Sequence, residues 1–508
     1  MNSFPLSDLL PVRFENLVDI QISGLSIHSQ SVKKGDAFIA LSGSKSDGRQ
    51  FIQDAIQNGA MAVICEGAQP ALSYQGHIPI VQIPDVRQQI GMIASIFYRH
   101  PSRQMKIIGI TGTNGKTTTA HLLAEALTLL GMPAASIGTL GLRFNGPIED
   151  FGLTTPDAIS LQRSFAMLKQ QGAKVVVMEV SSHALDQARV NGIDFTGAIF
   201  TNLTQDHLDY HGTMDAYLAA KAKLFQQTGL KFAIINRDDP ASSILSSEIN
   251  SSVKLCRYGL KAEDNLHPHP TYQADCQDLQ AFEIDDKGPI TFGIRIGSER
   301  GLVTTKLIGK FNVYNILAVC GALLNLGFSL AHIAEVLSKI SAAPGRMQRF
   351  SGQEKPQVLV DYAHTPDALE KALLASRAYT KQTLWCVFGC GGDRDRGKRA
   401  QMGKIASQLA DKIIITNDNP RTEDPMMIAN QIAQGISQGL QDKVQIELDR
   451  KEAIAYAIRK AKPEDVILVA GKGHEDYQIT GNERRHFSDA ECIEAVLNEV
   501  KHVAVRNR

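Results

Sequence analysis

The feature that most constrains this chain is an apolar run at residues 105–111 that enters a glycine-broken turn. The turn reads Gly-Thr-Asn-Gly-Lys-Thr at residues 112–117, and apolar residues then recur at helical spacing until Gly131. A strand, a turn with two glycines and a helix N-terminus direct backbone N–H groups and the positive end of the helix dipole toward one point. The sequence therefore predicts a phosphate-binding loop.

Two side chains of this loop have expected roles. Lys116 is placed to reach the β- and γ-phosphates of a nucleotide, and the hydroxyl of Thr117 is placed to bind Mg²⁺. The eight-residue form of the motif has a glycine six positions before the lysine, where this chain has Ile110, so the match is to a shorter variant. The alternative is a glycine turn without a ligand, and the flanking strand and helix favour phosphate binding.

Composition excludes several classes of protein. The chain has 508 residues, enough for about three domains. Lys+Arg and Asp+Glu both number 53, and this absence of net charge argues against a general nucleic-acid binder. No run of 18 apolar residues and no basic-then-apolar start are present, so we expect neither a membrane span nor a signal peptide. Seven scattered cysteines without a Cys-x-x-Cys pair are typical of reduced thiols in the cytoplasm.

Hydrophobic patterning predicts an α/β protein of three domains. We place a small α/β domain at residues 1–101, a P-loop domain with a mostly parallel sheet at 102–344, and a Rossmann-like domain at 345–508. Residues from about 238 to 300 look polar and irregular, and we assign them no chemistry. In the first domain, residues 27–30 and 43–49 are polar, turn-forming segments that suit either solvated loops or a ligand site.

The second domain contains candidate metal ligands. The apolar run at residues 175–178 ends in Glu179, as expected of a buried parallel strand that delivers a carboxylate to the sheet edge. A second predicted strand at residues 198–202 leads into a segment rich in acid and imidazole side chains, which includes His207. Beside a phosphate-binding loop, these groups favour a metal site. Lys221 lies on a predicted helix, and its spacing alone is equally typical of a solvated lysine.

The third domain contains four apolar runs, and each ends in polar or glycine residues. The four clusters lie at residues 361–364, 391–394, 418–421 and 471–475. Ligands bind outside the carboxyl ends of parallel strands, so these clusters should converge, although each alone suits an ordinary polar loop. Two consecutive glycines at 391–392 lack the full Gly-x-Gly-x-x-Gly spacing, so we reject a nicotinamide cofactor.

With these clusters in place, the chain resembles the Mur ligase family over nearly its whole length. The motifs that carry the resemblance are residues 112–117 (Gly-Thr-Asn-Gly-Lys-Thr), 179–183 (Glu-Val-Ser-Ser-His), 206–212 (Asp-His-Leu-Asp-Tyr-His-Gly), 345–347 (Gly-Arg-Met), 361–366 (Asp-Tyr-Ala-His-Thr-Pro) and 418–421 (Asp-Asn-Pro-Arg). One segment differs, because relatives often have Asp-Ser-Arg where this chain has His28-Ser29-Gln30.

The resemblance implies roles for individual residues. Those around ATP would be Gly112, Thr113, Asn114, Gly115, Lys116, Thr117, Thr118, Asn312, Arg346 and Asp361. Those at the UDP-muramoyl-peptide would be Ile27, Ser29, Ser44, Lys45, Ser46, Thr154, Thr155, Ser181, Gln187 and Arg189. Those at the incoming diaminopimelate would be Arg394, Asp418, Asn419, Pro420, Arg421, Gly471 and Glu475. The metal ligands would be Thr117, Glu179, His207 and Lys221 as a carbamate, with Lys116, Lys221 and His207 catalytic.

The resemblance also implies an activity. It is ATP-dependent, Mg²⁺-assisted addition of meso-diaminopimelate to UDP-N-acetylmuramoyl-L-alanyl-D-glutamate through an acyl phosphate, in cytoplasmic peptidoglycan precursor synthesis. The expected partners are these small molecules, with no nucleic acid and no membrane, and the expected state is a monomer. Two alternatives within the ligases are an L-lysine-adding enzyme and a folate polyglutamylating enzyme. A nucleotide-switched binding protein without ligase activity is the alternative from another class.

Overall fold

The computed structural model describes residues 3–43, 47–260, 277–286, 289–352 and 354–505, with side chains up to residue 499. Three main sheets, of five, eleven and six strands, follow one another along the chain. Most neighbouring strands inside them are parallel, which confirms the predicted α/β class. No helix in these ranges is both long and apolar enough to cross a membrane.

The first sheet has the strand order β3-β4-β5-β7-β6 and packs against α3. Its hydrophobic core continues onto helix α5 (Ala158–Gln170) of the central domain through Ala158 and Ile159. The side chain of Asn191 also donates hydrogen bonds to the carbonyl and side-chain oxygens of Gln88 on α3. The elements are β1 (Phe4–Pro5), α1 (Leu6–Leu9), β2 (Gln21–Ile22), β3 (Gly24–Ser26), β4 (Asp36–Ala40), α2 (Ile52–Gln57), β5 (Ala62–Glu66), β6 (Ala71–Gln75), β7 (Ile78–Ile83) and α3 (Val86–Phe97).

The central sheet has a parallel middle and antiparallel edges, in the order β11-β10-β9-β12-β8-β13-β14-β15-β16-β17-β18. Every residue of β12 is buried, because helices cover both faces of the parallel part. The elements are β8 (Lys106–Thr111), α4 (Lys116–Leu129), β9 (Ala134–Gly138), β10 (Gly141–Arg143), β11 (Pro147–Glu149), α5 (Ala158–Gln170), β12 (Val175–Glu179), α6 (Ser182–Asp186), β13 (Phe195–Phe200), α7 (Leu208–His211), α8 (Met214–Ala222), β14 (Phe232–Asn236), α9 (Ser242–Ser247), β15 (Lys254–Gly259), β16 (Gln277–Asp285), β17 (Ile290–Ile296), β18 (Glu299–Thr305), α10 (Phe311–Asn325) and α11 (Leu330–Leu337).

The expectation of irregular structure between residues 238 and 300 was wrong for β15, β16 and β17. These strands extend the central sheet and bury Leu279, Phe292 and Ile294 in the same core as α10. Polar residues alternate with apolar ones along β16 and β17, so no continuous apolar run marks these two strands in the sequence. Residues 261–276 and 287–288 of this segment lie outside the described ranges.

The third sheet has the order β19-β20-β24-β21-β22-β23, with helices on both faces. The hydroxyl of Thr365 caps α12 and Pro366 occupies its first turn, so this helix starts directly after the polar end of β20. The elements are β19 (Gln348–Phe350), β20 (Gln357–Asp361), α12 (Pro366–Tyr379), β21 (Leu384–Phe388), α13 (Gly397–Leu409), β22 (Lys412–Ile415), α14 (Pro425–Ala433), β23 (Val444–Ile446), α15 (Arg450–Lys460), β24 (Val466–Ala470), β25 (Tyr477–Thr480), β26 (Glu483–His486) and α16 (Asp489–Val505).

Five cysteines of the described ranges are free thiols, namely Cys65, Cys320, Cys386, Cys390 and Cys492, and the first four of them are buried. Burial raises the pKa of Cys320 and Cys386, which keeps their thiols protonated.

Candidate active site

The phosphate-binding loop joins β8 to α4. Gly112 and Gly115 have φ of 146° and 87°, and the left-handed geometry allows the chain to turn directly into the helix. The side-chain oxygen of Asn202 accepts from the backbone N–H of Asn114 at 2.9 Å, and its amide donates back to the Asn114 carbonyl at 3.0 Å. The neighbouring strand β13 therefore holds the loop in shape before any ligand binds.

Lys116 is the first residue of α4, and its ammonium folds back over the loop. Nζ donates hydrogen bonds to the carbonyl oxygens of Gly112 at 2.8 Å and Thr113 at 2.9 Å. Desolvation lowers the pKa of Lys116, and the nearby carboxylate of Glu179 acts in the opposite direction. An anionic ligand in the loop would further favour the charged ammonium.

The carboxylate of Glu179 lies at the end of β12, beside the first turn of α4. Its Oε2 accepts a 2.9 Å hydrogen bond from the hydroxyl of Thr117. The same hydroxyl accepts from Nη2 of Arg346 at 3.1 Å. The backbone N–H of Thr139 donates to Oε1 of Glu179 at 2.7 Å, a contact that the sequence did not reveal. Two oxygen ligands suited to Mg²⁺ thus lie side by side, with an arginine from the C-terminal domain next to them.

A cavity of about 560 Å³ opens above this loop, between the central and C-terminal domains. Nine of the ten residues predicted around the nucleotide line it, and Gly112 is the exception. Aromatic rings that the sequence did not single out, those of Phe311, Tyr314 and Tyr362, form part of the wall. The volume and the mixed polar and aromatic lining suit a nucleotide.

His207 and Lys221 lie against the ring of Tyr217. The ring centroids of His207 and Tyr217 are 6.0 Å apart, and Nζ of Lys221 lies 4.1 Å from the Tyr217 centroid. His207 lines the cavity, and desolvation lowers its pKa, which favours the neutral imidazole that binds metals. Among the described residues, no three His, Cys, Asp or Glu side chains form a group ready to hold a metal.

Lys221 is the buried lysine of α8, with 1% of its surface exposed. Burial, together with the positive charge of Lys116, lowers its pKa well below the usual value, and no carboxylate within the described part of the chain forms an ion pair with it. The sequence left Lys221 open between a solvated and a functional lysine. The structure excludes the solvated interpretation.

Four residues predicted at the muramoyl-peptide form one hydrogen-bonded group. The hydroxyl of Thr155 lies 3.3 Å from that of Ser181, and Arg189 donates to the carbonyl of Thr155 and to the side chain of Gln187. Thr154, next to this group, lines the cavity. The predicted peptide site therefore adjoins the nucleotide cavity.

The residues predicted at the uridine end lie in the N-terminal domain. Ile27 is half-buried, and Ser29 is buried with its carbonyl bonded to the side chain of Asn58. Ser44, Lys45 and Ser46 lie outside the described residues.

The polar ends of β22 and β24 meet in a cluster of side chains from Asn419, Arg421, Lys472 and Glu475. Oε2 of Glu475 accepts from Nδ2 of Asn419 and from Nζ of Lys472, both at 3.0 Å. The predicted clusters at residues 418–421 and 471–475 therefore do converge, whereas the full burial of Lys472 was not expected from the sequence. Arg421 has a left-handed backbone with φ of 52°, and Nη1 donates to the carbonyl of Gly392 at 2.8 Å.

The other residues predicted at the diaminopimelate lie beside this cluster. Gly471 approaches Asp418 so closely that a Cβ there would lie 2.7 Å from Oδ2, and the backbone of Pro420 packs against Gly392. Arg394 is exposed and lies beside Gly391. The buried Arg450 donates to the carbonyl of Ala470, next to Gly471, and forms an ion pair with Asp489.

Three family models cover most of the chain. The model described as Mur ligase family, catalytic domain matches residues 21–98, the Mur ligase middle domain matches 110–323, and the Mur ligase, glutamate ligase domain matches 345–473. All three models therefore match in the order of the sheets described above.

Curated relatives and a solved structure extend this similarity. A protein of Coxiella burnetii (strain RSA 493 / Nine Mile phase I) named UDP-N-acetylmuramoyl-L-alanyl-D-glutamate--2,6-diaminopimelate ligase is 43% identical, over 98% of this chain and 100% of its own length. A protein of the same name from Pseudomonas aeruginosa is 45% identical, over 95% and 97%. A solved structure of a protein with that name is 35% identical, covers 98% of this chain and 100% of its own, and has a TM-score of 0.70. Given this identity over nearly the full length, the chain belongs to the Mur ligase family.

Proposed function

We propose that this chain is the ATP-dependent ligase that adds meso-diaminopimelate to UDP-N-acetylmuramoyl-L-alanyl-D-glutamate. The observation that carries the proposal is the arrangement of the site. A nucleotide cavity with Lys116 and Arg346 adjoins the Thr154–Thr155 segment, and Tyr362 in its wall donates a hydrogen bond to Glu475 of the cluster that contains Arg421. The names of the relatives at 43% and 45% identity support the same substrates.

The chemistry needs an activated acyl group, because a carboxylate anion is a poor acyl donor. The D-glutamyl carboxylate would attack the γ-phosphorus of ATP to form an acyl phosphate, and ADP would leave. The amine of diaminopimelate would then attack the acyl carbon, and phosphate would leave with formation of the amide. Lys116 and Arg346 bring two cations to the cavity where these anions must approach one another.

The oxygen ligands present fit Mg²⁺. The hydroxyl of Thr117 and the carboxylate of Glu179 are hard oxygen donors already in contact, and His207 and a carbamate on Lys221 would supply a second group. When bound, the metal would offset the repulsion between the phosphates and the attacking carboxylate. Arg346 would position the hydroxyl of Thr117 toward Glu179.

The choice of amino acid is assigned to Arg421. The far end of meso-diaminopimelate carries a carboxylate that L-lysine lacks, and a guanidinium can bind a carboxylate through two parallel hydrogen bonds. Arg421 supports this assignment because its guanidinium lies beyond the carboxyl end of β22, where it donates to the carbonyl of Gly392. Glu475, which is bonded to Asn419 of the same segment, would accept the neighbouring ammonium.

The proposal is tested by measuring ADP release from purified protein. We expect release that requires UDP-muramoyl-dipeptide, Mg²⁺ and meso-diaminopimelate together, with a much slower rate for L-lysine. A wild type that prefers L-lysine, or that uses a folate and glutamate, would instead support one of the alternative ligases. Nucleotide hydrolysis independent of both acceptor and amino acid would support a nucleotide-switched binding protein.

The cellular setting is inferred in the same way. The proposed substrates are soluble metabolites with ATP among them, so we place the enzyme in the cytoplasm. A monomer remains the prediction for its oligomeric state, and size-exclusion chromatography with light scattering measures it.

A further inference from the structure

Thr139 occupies the two-residue turn between β9 and β10, and three parts of the candidate active site contact it. Its backbone N–H donates to Oε1 of Glu179 at 2.7 Å, and its hydroxyl lies 3.2 Å from Oε2 of the same carboxylate. The hydroxyl also lies 3.3 Å from that of Thr154. On its other side, the carbonyl of Thr139 lies 3.1 Å from Nε2 of His474, which belongs to the C-terminal domain.

The turn leaves Glu179 little freedom. A Cβ on Gly138 would lie 2.2 Å from Oε1 of Glu179, so the glycine allows the backbone to reach the carboxylate. Glu179 is 1% exposed, and its two oxygens accept from Thr139 and Thr117. A displacement of Thr139 would therefore change the orientation of the carboxylate.

His474 lies in the loop at residues 471–475, which also contributes Lys472 and Glu475 to the cluster with Arg421. Its neighbours Lys472 and Glu475 are bonded to each other, and the hydroxyl of Tyr362 donates to Oε1 of Glu475. The rings of Tyr362 and His474 are 5.3 Å apart. His474 is thus linked to the cluster of Lys472 and Glu475 in two ways, through the backbone of its loop and through the packing of its ring against Tyr362.

The imidazole of His474 has a defined tautomer. Burial lowers its pKa to about 4, so the ring is neutral at neutral pH and carries one proton. The carbonyl of Thr139 accepts only from an N–H, which assigns the proton to Nε2. Nδ1 is buried and has no hydrogen-bond partner among the described residues. Among the described residues, Thr139 is therefore the only hydrogen-bond partner of this ring.

We propose that the hydrogen bond from His474 to Thr139 is a latch. It makes the orientation of Glu179 depend on whether the loop at residues 471–475 is docked on the central domain. Thr139 and His474 are positioning residues, since neither is placed to touch the reacting atoms. The inference rests on the proposed function, because it assigns Glu179 to the metal that accompanies ATP. The latch would align the metal-binding carboxylate when the C-terminal domain is docked on the central domain.

Two substitutions separate the hydrogen bond from the ring. His474→Phe keeps a ring of similar size and removes the donor, whereas His474→Gln keeps an N–H near the position of Nε2. We expect His474→Phe to raise the Mg²⁺ concentration that half-saturates ADP binding by about three- to tenfold, since one hydrogen bond is lost. His474→Gln should stay within about twofold of wild type by the same estimate. Isothermal titration calorimetry at several Mg²⁺ concentrations measures this without turnover.

Control variants and outcomes make the test decisive. His332→Phe makes the same replacement at an exposed position of α11 and should leave the Mg²⁺ dependence unchanged. A folded His474→Phe protein with wild-type Mg²⁺ dependence would overturn the latch. A wild type whose ADP binding ignores Mg²⁺ would instead overturn the proposed function.

A second route covers the case in which His474→Phe does not fold. Thr139→Val removes the hydroxyl near Oε2 of Glu179 and retains both backbone hydrogen bonds. We expect it to weaken Mg²⁺-dependent ADP binding, because the hydroxyl and the backbone N–H of Thr139 together orient Glu179. Wild-type Mg²⁺ dependence in Thr139→Val, at an unchanged melting temperature, would contradict the proposal.

Discussion

The side-chain amide of Asn114 donates a 2.9 Å hydrogen bond to Oδ2 of Asp367, and this bond joins the phosphate-binding loop to the first turn of α12. Lys371, one turn further along that helix, donates to the same oxygen at 2.9 Å and lines the nucleotide cavity. The position of the C-terminal domain is therefore connected directly to the loop that would hold the phosphates.

Substitution of Asp367 tests this connection. Asp367→Ala removes the acceptor for both Asn114 and Lys371, and we expect the KM for ATP to rise by about three- to tenfold, because partial exposure screens the interaction. Asp367→Asn keeps one acceptor oxygen and is the matched control, with a smaller rise. Steady-state kinetics at saturating amino acid measure the effect, and an unchanged KM for Asp367→Ala would contradict it.

Lys116→Ala tests the nucleotide assignment. The variant loses the ammonium that lies over Gly112 and Thr113, and we expect turnover to fall by roughly 10²- to 10³-fold or more, as for other lost transition-state donors. Circular dichroism should show an intact fold, since this side chain lies outside the hydrophobic clusters. ATP-dependent ligation at the wild-type rate would refute the assignment.

Lys221 should carry a carbamate. Burial lowers the pKa of Lys221 well below its usual value, which increases the fraction of neutral amine able to attack dissolved CO₂ with loss of one proton. Wild-type protein equilibrated with ¹³C-bicarbonate should show a carbamate signal by NMR that Lys221→Arg lacks. Identical spectra for the two proteins would count against the modification.

Arg421→Ala should change the choice of amino acid. A charge-assisted hydrogen bond contributes about 1.5 to 3 kcal/mol, so kcat/KM for meso-diaminopimelate should fall by about ten- to a hundredfold or more. Use of L-lysine should barely change, because it lacks the carboxylate that the guanidinium would bind. Arg421→Lys keeps the charge without the planar fork and should be intermediate. Equal losses for both amino acids would show that Arg421 is not the selector.

Glu423 should make the stability of the C-terminal domain depend on pH. Hydrogen bonds from Arg399 lower the pKa of this carboxyl to about 2, below its usual value of about 4.3. A lowered pKa stabilises the folded state above about pH 4.3, and this contribution is lost as the pH falls toward 2. Urea unfolding should show Glu423→Gln less stable than wild type at pH 7, with the difference shrinking below pH 4. A stability difference between wild type and Glu423→Gln that does not change with pH would contradict this prediction.

Much of the fold was predictable because it depends on local pattern. The apolar run at residues 175–178, with Glu179, is β12, and the polar clusters predicted at 361–364 and 471–475 begin where β20 and β24 end. A continuous apolar run bounded by polar residues has few alternatives to a buried parallel strand. The alternating strands β16 and β17 were missed, since only every second residue of such a strand is apolar.

Many residues of the site were predicted through family motifs, but the residues that contact them were not. Thr139 and Asp367 were not singled out, although each bonds directly to a predicted residue. Lys472 and His474 entered only as members of the cluster at 471–475, without their partners. Apart from Lys472 and Glu475, which are three positions apart, these contacts join residues far apart in the chain, up to 335 positions for His474 and Thr139. No local spacing indicates such a pair.

The sequence by itself determined the order of strands and helices and the phosphate-binding turn, because steric and hydrophobic preferences act between near neighbours. Only the tertiary structure decided that Lys221 is buried without an ion pair, that Lys472 neutralises Glu475, and that His474 reaches Thr139. Burial and protonation depend on what packs around a group from every side. For this protein, those neighbours come from separate sheets and separate domains, which meet only when the whole chain has folded.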